Sequence, residues 1–179
     1  MLRQEANPTR YFYSRGFTLL EIVVVVFLIG LLSTFTVLSI SDGGQRADIE
    51  NEASRIDALL RLGGEEAIVT GEVLGLGLAE QGYRFFRFRE DEWRPLTGLS
   101  AFREQQIPHY SRLSVFLNNK WIALEHEPQF IATPQILFYP NGEVTSFRLI
   151  LASTNSKQGY QITVQSNGEV IQEQVDHAY

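Results

Sequence analysis

The sequence has no cysteine, one methionine and three histidines in 179 residues. Without cysteine there is no disulfide scaffold, no thiolate zinc site and no thiol nucleophile. That absence leaves the compartment open, because many exported proteins also lack disulfides. Positive charge is scarce: 15 Lys and Arg stand against 21 Asp and Glu, a net charge of −6. Such a balance argues against a surface tuned throughout for nucleic acid. What is present is 44% hydrophobic residue and 20% charge, enough to bury a core and to exclude wholesale disorder. The length suits one modest domain with an appended element. A mean hydropathy of −0.08 reads as an ordinary soluble protein, but that average hides an uneven distribution.

Between Ile22 and Ile40 there is no charged residue. With Phe17–Leu20 in front, the apolar stretch is about 24 residues long and is broken only by Glu21; about 20 helical residues cross a bilayer core. A buried core helix rarely stays apolar on every face for so long, so residues 17–41 read as a transmembrane helix. Arg3, Arg10 and Arg15 precede the span with only Glu5 opposing them, and Asp42, Arg46, Asp48, Glu50 and Glu52 follow it. Positive charge stays on the cytoplasmic side, so the N-terminus is expected inside and the rest exported. The run is too long for a cleavable secretory signal, and no Ala-x-Ala pattern closes it. The conspicuous small residue, Gly16, precedes the apolar run.

Residues 42–70 read as an amphipathic helix continuing the span, with Ile49, Ala53, Ile56 and Leu60 at three- and four-residue spacing. Gly43-Gly44 is expected to loosen or bend it, and Gly63-Gly64 to interrupt it. After Gly71 the period changes to alternation. Strands are expected over 73–78, 83–88, 93–96, 112–117, 121–124, 135–139, 144–152, 160–165 and 169–174, with a long loop over 100–110. Asn118-Asn119-Lys120 reads as a tight turn, and Asn141-Gly142 and Asn167-Gly168 as hairpin turns. The fold class is therefore α+β: a long N-terminal helix packed on a mostly antiparallel β head at 71–179. No repeat, low-complexity tract or second globular domain is expected.

The chemistry-bearing residues are sparse. His109, His126 and His177 are far apart, and His126 lies between Glu125 and Glu127 without metal-ligand spacing. Glu90-Asp91-Glu92 falls between two strands and reads as a solvated turn rather than a calcium loop. No nucleophile elbow, Walker loop or dinucleotide fingerprint is present, so no enzyme, metal or cofactor is expected. Arg84, Arg87 and Arg89 interleave with Phe85, Phe86 and Phe88. Such a pattern can form a stacking platform for single-stranded nucleic acid. The alternative is an edge strand with arginines outward, balanced by Glu90, Asp91 and Glu92. Given the acidic whole, nucleic acid is not the expected partner.

A carboxylate inside an apolar span costs roughly 2.5–3.5 kcal/mol on insertion scales, unless it snorkels to the headgroups from the first helical turn. The string around Glu21, Arg15-Gly16-Phe17-Thr18-Leu19-Leu20-Glu21, resembles the class III leader of type IV pilins and type II secretion pseudopilins. That resemblance implies a leader over 1–16, cleavage after Gly16 by a prepilin peptidase/N-methyltransferase, methylation of the new Phe17 amine, and an assembly salt bridge from Glu21. The acid then pairs with the Phe17 amine of a neighbouring subunit, which makes a costly charge tolerable and sets axial register. Further segments resemble the minor pseudopilin H group (GspH/FimT): Glu65-Glu66-Ala67-Ile68 with Gly71, Gly82-Tyr83-Arg84-Phe85, Trp93-Arg94-Pro95-Leu96 and Ile136–Glu143. They imply a pilin-like fold and a structural subunit near the tip of the periplasmic pseudopilus of a type II secretion system. The implied setting is the bacterial inner membrane. Implied partners are the major pseudopilin G, the minor pseudopilins I, J and K, and the inner-membrane assembly platform. The alternative is a minor type IV pilin of the FimT/FimU kind, in pilus assembly or DNA uptake.

Overall fold

The computed structural model describes residues 18–97, 100–154 and 158–176, and only the backbone of residues 32–43. The chain divides into two compact units, Met1–Asp42 and Gly43–Tyr179. One helix, α1 (Leu19–Thr70), contributes residues to both.

In the first unit, Thr18 precedes the helix and its Oγ1 accepts a 3.3 Å hydrogen bond from the Glu21 amide. That is the N-cap geometry in which a threonine satisfies one of the free first-turn donors. The apolar side chains from Leu19 to Leu31 are exposed on every face, from 44% at Val25 to 82% at Leu19. Among the described residues no helix is long and apolar enough to cross a membrane. The side chains of 32–43, in the middle of the run Ile22–Ile40, lie outside that description.

In the second unit α1 buries one stripe, Ile49, Ala53, Ile56, Leu60 and Ala67. Gly63 takes the stripe position between Leu60 and Ala67, at the spacing that keeps residues on one helix face. A Cβ placed there would lie 3.2 Å from Phe85 Cε1 and 3.4 Å from Phe138 Cζ. The helix includes both glycine pairs, which corrects the interruption that the sequence suggested at Gly63-Gly64. At the second pair the physical reason is packing: the missing side chain lets two phenylalanine rings approach the helix. The helix stops at Gly71, whose φ of +68° is the left-handed conformation glycine adopts without penalty. Its amide closes the last turn onto Ala67 O at 3.1 Å.

Ten strands follow. β1 (Leu74–Ala79), β2 (Gly82–Arg89), β3 (Glu92–Pro95), β4 (Gln105–Gln106) and β7 (Ile136–Phe138) form the first sheet, in order β3-β2-β1-β7 with β4 also on β2. β5 (Ser111–Leu117), β6 (Lys120–Ile122), β8 (Phe147–Ser153), β9 (Gln158–Val164) and β10 (Val170–Asp176) form the second, in order β10-β9-β8-β5-β6. The named strand pairs are antiparallel. Leu74, Leu76 and Leu78 of β1 join the α1 stripe, Tyr83, Phe85 and Phe138, and the inner residues of the second sheet, in one core. Each such leucine contributes about 1.5–3 kcal/mol by leaving water. Between those leucines stand Gly75 and Gly77, facing Pro134 and Ile131; a Cβ at Gly75 would fall 2.3 Å from Pro134 Cγ. The alternation Leu-Gly-Leu-Gly-Leu-Ala thus records a large-residue face on the core and a close approach on the other side.

Two further expectations are corrected. The segment 100–110 is not a plain loop: it holds a 3-10 turn at Ser100–Phe102 and strand β4. β2 is interior to its sheet rather than at an edge, with β1 on one side and β3 and β4 on the other. The turn at Asn141-Gly142 closes a hairpin of one bridge only, with Tyr139 N donating to Glu143 O at 2.8 Å and Thr145 N to Leu137 O at 2.9 Å, before its strands part to different sheets. β7 pairs with β1 and β8 with β5 and β9, and only the isolated bridge Phe138–Val144 links their ends. The Asn167-Gly168 turn does join the paired strands β9 and β10.

Candidate assembly site

Gly16 and Phe17, the expected leader cleavage and methylation positions, lie outside the described residues. Glu21 is described and exposed, in the first turn of α1. Its amide also donates to Thr18 O at 3.0 Å. An acid there is favoured by the positive end of the helix dipole. Among the described residues no cation pairs with the Glu21 carboxylate. The arrangement presents one carboxylate at the start of an apolar cylinder whose described side chains are all exposed. Such a surface calls for lipid or other apolar helices around it.

In the second unit the acids of α1 meet tyrosines from the sheets. Tyr83 of β2 donates to Glu52 Oε1 at 3.1 Å, and Glu52 also accepts from Arg55 Nη2 at 2.8 Å. Arg55 Nη1 donates to Gln105 of β4 at 2.8 Å. The Tyr110 hydroxyl donates to Asp48. Burial, then the neighbouring Glu52 charge, pushes the Tyr83 hydroxyl well above the ordinary tyrosine range. Tyr110 is raised by its bond to Asp48, and Tyr160 by burial and by Glu50. Farther along, Arg61 holds Asp57 at 2.9 Å and Val170 O of β10 at 2.7 Å. Sequence reasoning missed this set of clasps.

The arginine–phenylalanine strand is divided by its own pleat. Side chains alternate across a sheet, so Phe85, Arg87 and Arg89 share one face and Arg84, Phe86 and Phe88 the other. Arg87 Nε lies 2.8 Å from Glu72, which Arg89 also reaches at 2.5 Å, while Arg84 lies 3.3 Å from Glu104. Their carboxylates are therefore Glu72 and Glu104, with Glu66 3.8 Å from Arg87, rather than the expected turn acids. Glu90 and Glu92 pair with Arg94. Phe85 and Phe86 are buried, and Phe88 packs against Trp93 with centroids 5.0 Å apart. His126 Nδ1 lies 2.9 Å from Glu80. Among the described residues no group of three or more His, Asp or Glu is placed to hold a metal, and His177 lies outside them.

A helix with an apolar first half, set before two antiparallel sheets, defines a pilin-like subunit. The family model described as type II transport protein GspH matches residues 52–168. The prokaryotic N-terminal methylation motif matches residues 12–37. Type II secretion system protein H of Aeromonas hydrophila is 31% identical over 163 residues, spanning 85% of this chain and 88% of that one. The protein of the same name from Pseudomonas aeruginosa is 28% identical over 163 residues, spanning 87% and 92%. Among solved structures, the minor pseudopilin EpsH of Vibrio cholerae matches with a TM-score of 0.60 at 22% identity, covering 70% of this chain and 93% of that one. This chain belongs to the GspH family.

Proposed function

We propose that the chain is a minor pseudopilin, a structural rather than enzymatic subunit near the tip of the periplasmic pseudopilus of a type II secretion system. In this reading a prepilin peptidase removes residues 1–16 after Gly16 and methylates Phe17. The helix over 17–41 holds the subunit in the inner membrane, with the N-terminus cytoplasmic and the head periplasmic. On assembly the same apolar face exchanges lipid for the helices of neighbouring subunits, the major pseudopilin G and the minor pseudopilins I, J and K. Glu21 then pairs with the Phe17 amine of a neighbour. Desolvation makes an unpaired acid costly there, so pairing favours one axial register over the others.

The observation that supports this most is the joint presence, in one chain, of the methylation motif over 12–37 and the GspH model over 52–168. The exposed apolar surface of Leu19–Leu31 agrees with a helix that works in lipid and then in a filament. Mass spectrometry of the protein from its host is expected to find methyl-Phe17 as the first residue; an intact Met1 in a host carrying the peptidase removes the reading. Deletion is expected to abolish exoprotein secretion. Loss of twitching and DNA uptake with secretion intact would instead make it a type IV pilin.

A further inference from the structure

The second sheet has half an open edge. β8 pairs with β5 along its whole length, from Ser111–Ser153 to Leu117–Phe147. β6 covers only Val115–Leu117. After Ile122 the chain leaves the sheet, and Glu125 bridges to Ala79 of the first sheet instead. Tyr110 O accepts from Thr154 N on the β8 side. Backbone groups alternate sides along a strand, so residues 111 and 113 turn theirs to the side that β6 vacates. Ser111 N is occupied by Pro108 O. Among the described residues the Ser111 carbonyl and the Leu113 amide and carbonyl have no strand partner there, and such an unpaired row is a template for another strand.

This edge borders a cavity of about 570 Å³, lined by Ser111–Ser114, Trp121 and, from the first sheet's side, Glu80, Gln81 and His126. Trp121 is 64% exposed at its rim. Charge selects the occupant. Glu80 is already engaged by His126 at 2.9 Å, whereas Arg112 is exposed and has no carboxylate among the described residues. Arg112 and Ser114 alternate with Leu113, which is in the core, so they line the outward face beside Trp121.

We infer that this slot receives an extended, acid-bearing segment of another polypeptide, added as a strand to the open half of β5 with a carboxylate beside Arg112. Main-chain hydrogen bonds supply the affinity in such strand addition, and alternate side chains supply the selectivity. Trp121 caps the end of the added strand. The inference does not depend on the filament reading, because its test needs no secretion machinery.

The test uses the full chain in detergent micelles and a capped hexapeptide of alternating Val and Glu. Binding is followed by hydrogen exchange of the Leu113 amide and by Trp121 fluorescence in a Trp93→Phe background. Saturating peptide is expected to slow Leu113 exchange by about tenfold or more. Replacing Glu by Lys in the peptide should weaken binding by about fivefold, as for a cross-strand charge pair, and Arg112→Glu should reverse that preference. Equal binding of a peptide N-methylated at alternate backbone nitrogens would overturn the proposal. So would unchanged Leu113 exchange at about millimolar peptide, or slow exchange in the free dilute chain. Slowing that depends on chain concentration alone would assign the edge to a second copy instead.

Discussion

Gly63 and Gly64 are neighbours with opposite surroundings. A Cβ at Gly64 would meet nothing within 4 Å, while one at Gly63 would press on the Phe85 and Phe138 rings at 3.2 and 3.4 Å. Glycine inside a helix costs about 1 kcal/mol against alanine. Gly64→Ala is therefore expected to stabilise the head by about 1 kcal/mol. Gly63→Ala gains the same propensity but meets crowding that typically costs about 1–3 kcal/mol, so its net effect is a loss. Denaturant midpoints compare the two, and a Gly63→Ala protein more stable than Gly64→Ala would refute the packing argument. Tyr83 gives a second residue-scale prediction. Folding favours its neutral phenol, because burial and Glu52 raise its pKa from the ordinary value of 10.0. That stabilisation is fully present below pH 10 and is lost as pH rises beyond it. Tyr83→Phe should cost about 1 kcal/mol at neutral pH through the lost bond to Glu52. It should also flatten the fall in stability above about pH 10. An unchanged alkaline slope in the variant would remove Tyr83 as its cause.

Elements differ in how openly the sequence declares them. Strands β1, β2, β5, β8, β9 and β10 are legible because each alternates or runs apolar between turn residues. The turn chemistry is legible too: Gly142 and Gly168 take φ of +86° and +82°. Each turn repeats one pattern, Asn141 Oδ1 accepting from Glu143 N and Asn167 Oδ1 from Glu169 N, both at 3.0 Å. What the turn sequence cannot carry is which sheet the next strand joins. That is decided by long-range partners, here Val144 N bonding to Ser166 O at 3.0 Å across the two turns. β4 is illegible for a similar reason. Two glutamines form a strand only because β2 offers Gly82, where a Cβ would fall 2.1 Å from Gln105 O. The helix acids are hidden because their tyrosine partners lie 31 and 62 residues away. At Glu90-Asp91 the sequence resists its turn. Both residues take positive φ, 51° and 62°, where a side chain costs about 1–2 kcal/mol per residue. Asp91→Gly removes that strain at a position with no ion pair among the described residues, while keeping Glu90 on Arg94 at 2.6 Å. A gain of about 0.5–1 kcal/mol is expected in thermal melts, after glycine's entropic cost; a loss would show that Asp91 makes a contact worth more than the strain.

At the scale of the whole molecule, the mean hydropathy of −0.08 averages two compact units, Met1–Asp42 and Gly43–Tyr179, with opposite demands. The second turns Ile49, Ala53, Ile56, Leu60 and Ala67 of α1 into its main core, beside a smaller cluster at Ala79, Phe86 and Ile131. The first exposes its described apolar side chains, with Glu21 in the first turn of the helix. In the proposed leader, residues 1–16, three arginines outweigh one glutamate, so its cleavage would leave the chain more acidic still. Were Glu21 only a helix cap, replacing it would change little, because the bond to Thr18 Oγ1 comes from the residue 21 amide and survives any side chain. Were it only a charge tolerated near headgroups, Glu21→Leu would improve insertion, by up to roughly 2.5–3.5 kcal/mol, and leave assembly untouched. The pairing argument expects something different. Glu21→Leu should remain in the membrane fraction and lose its leader normally, yet be depleted from sheared pseudopili relative to the unaltered chain. Glu21→Gln should insert equally well and be depleted too, because a neutral amide cannot balance a neighbour's Phe17 amine. Incorporation of both variants at the normal level would show that the acid does not set register.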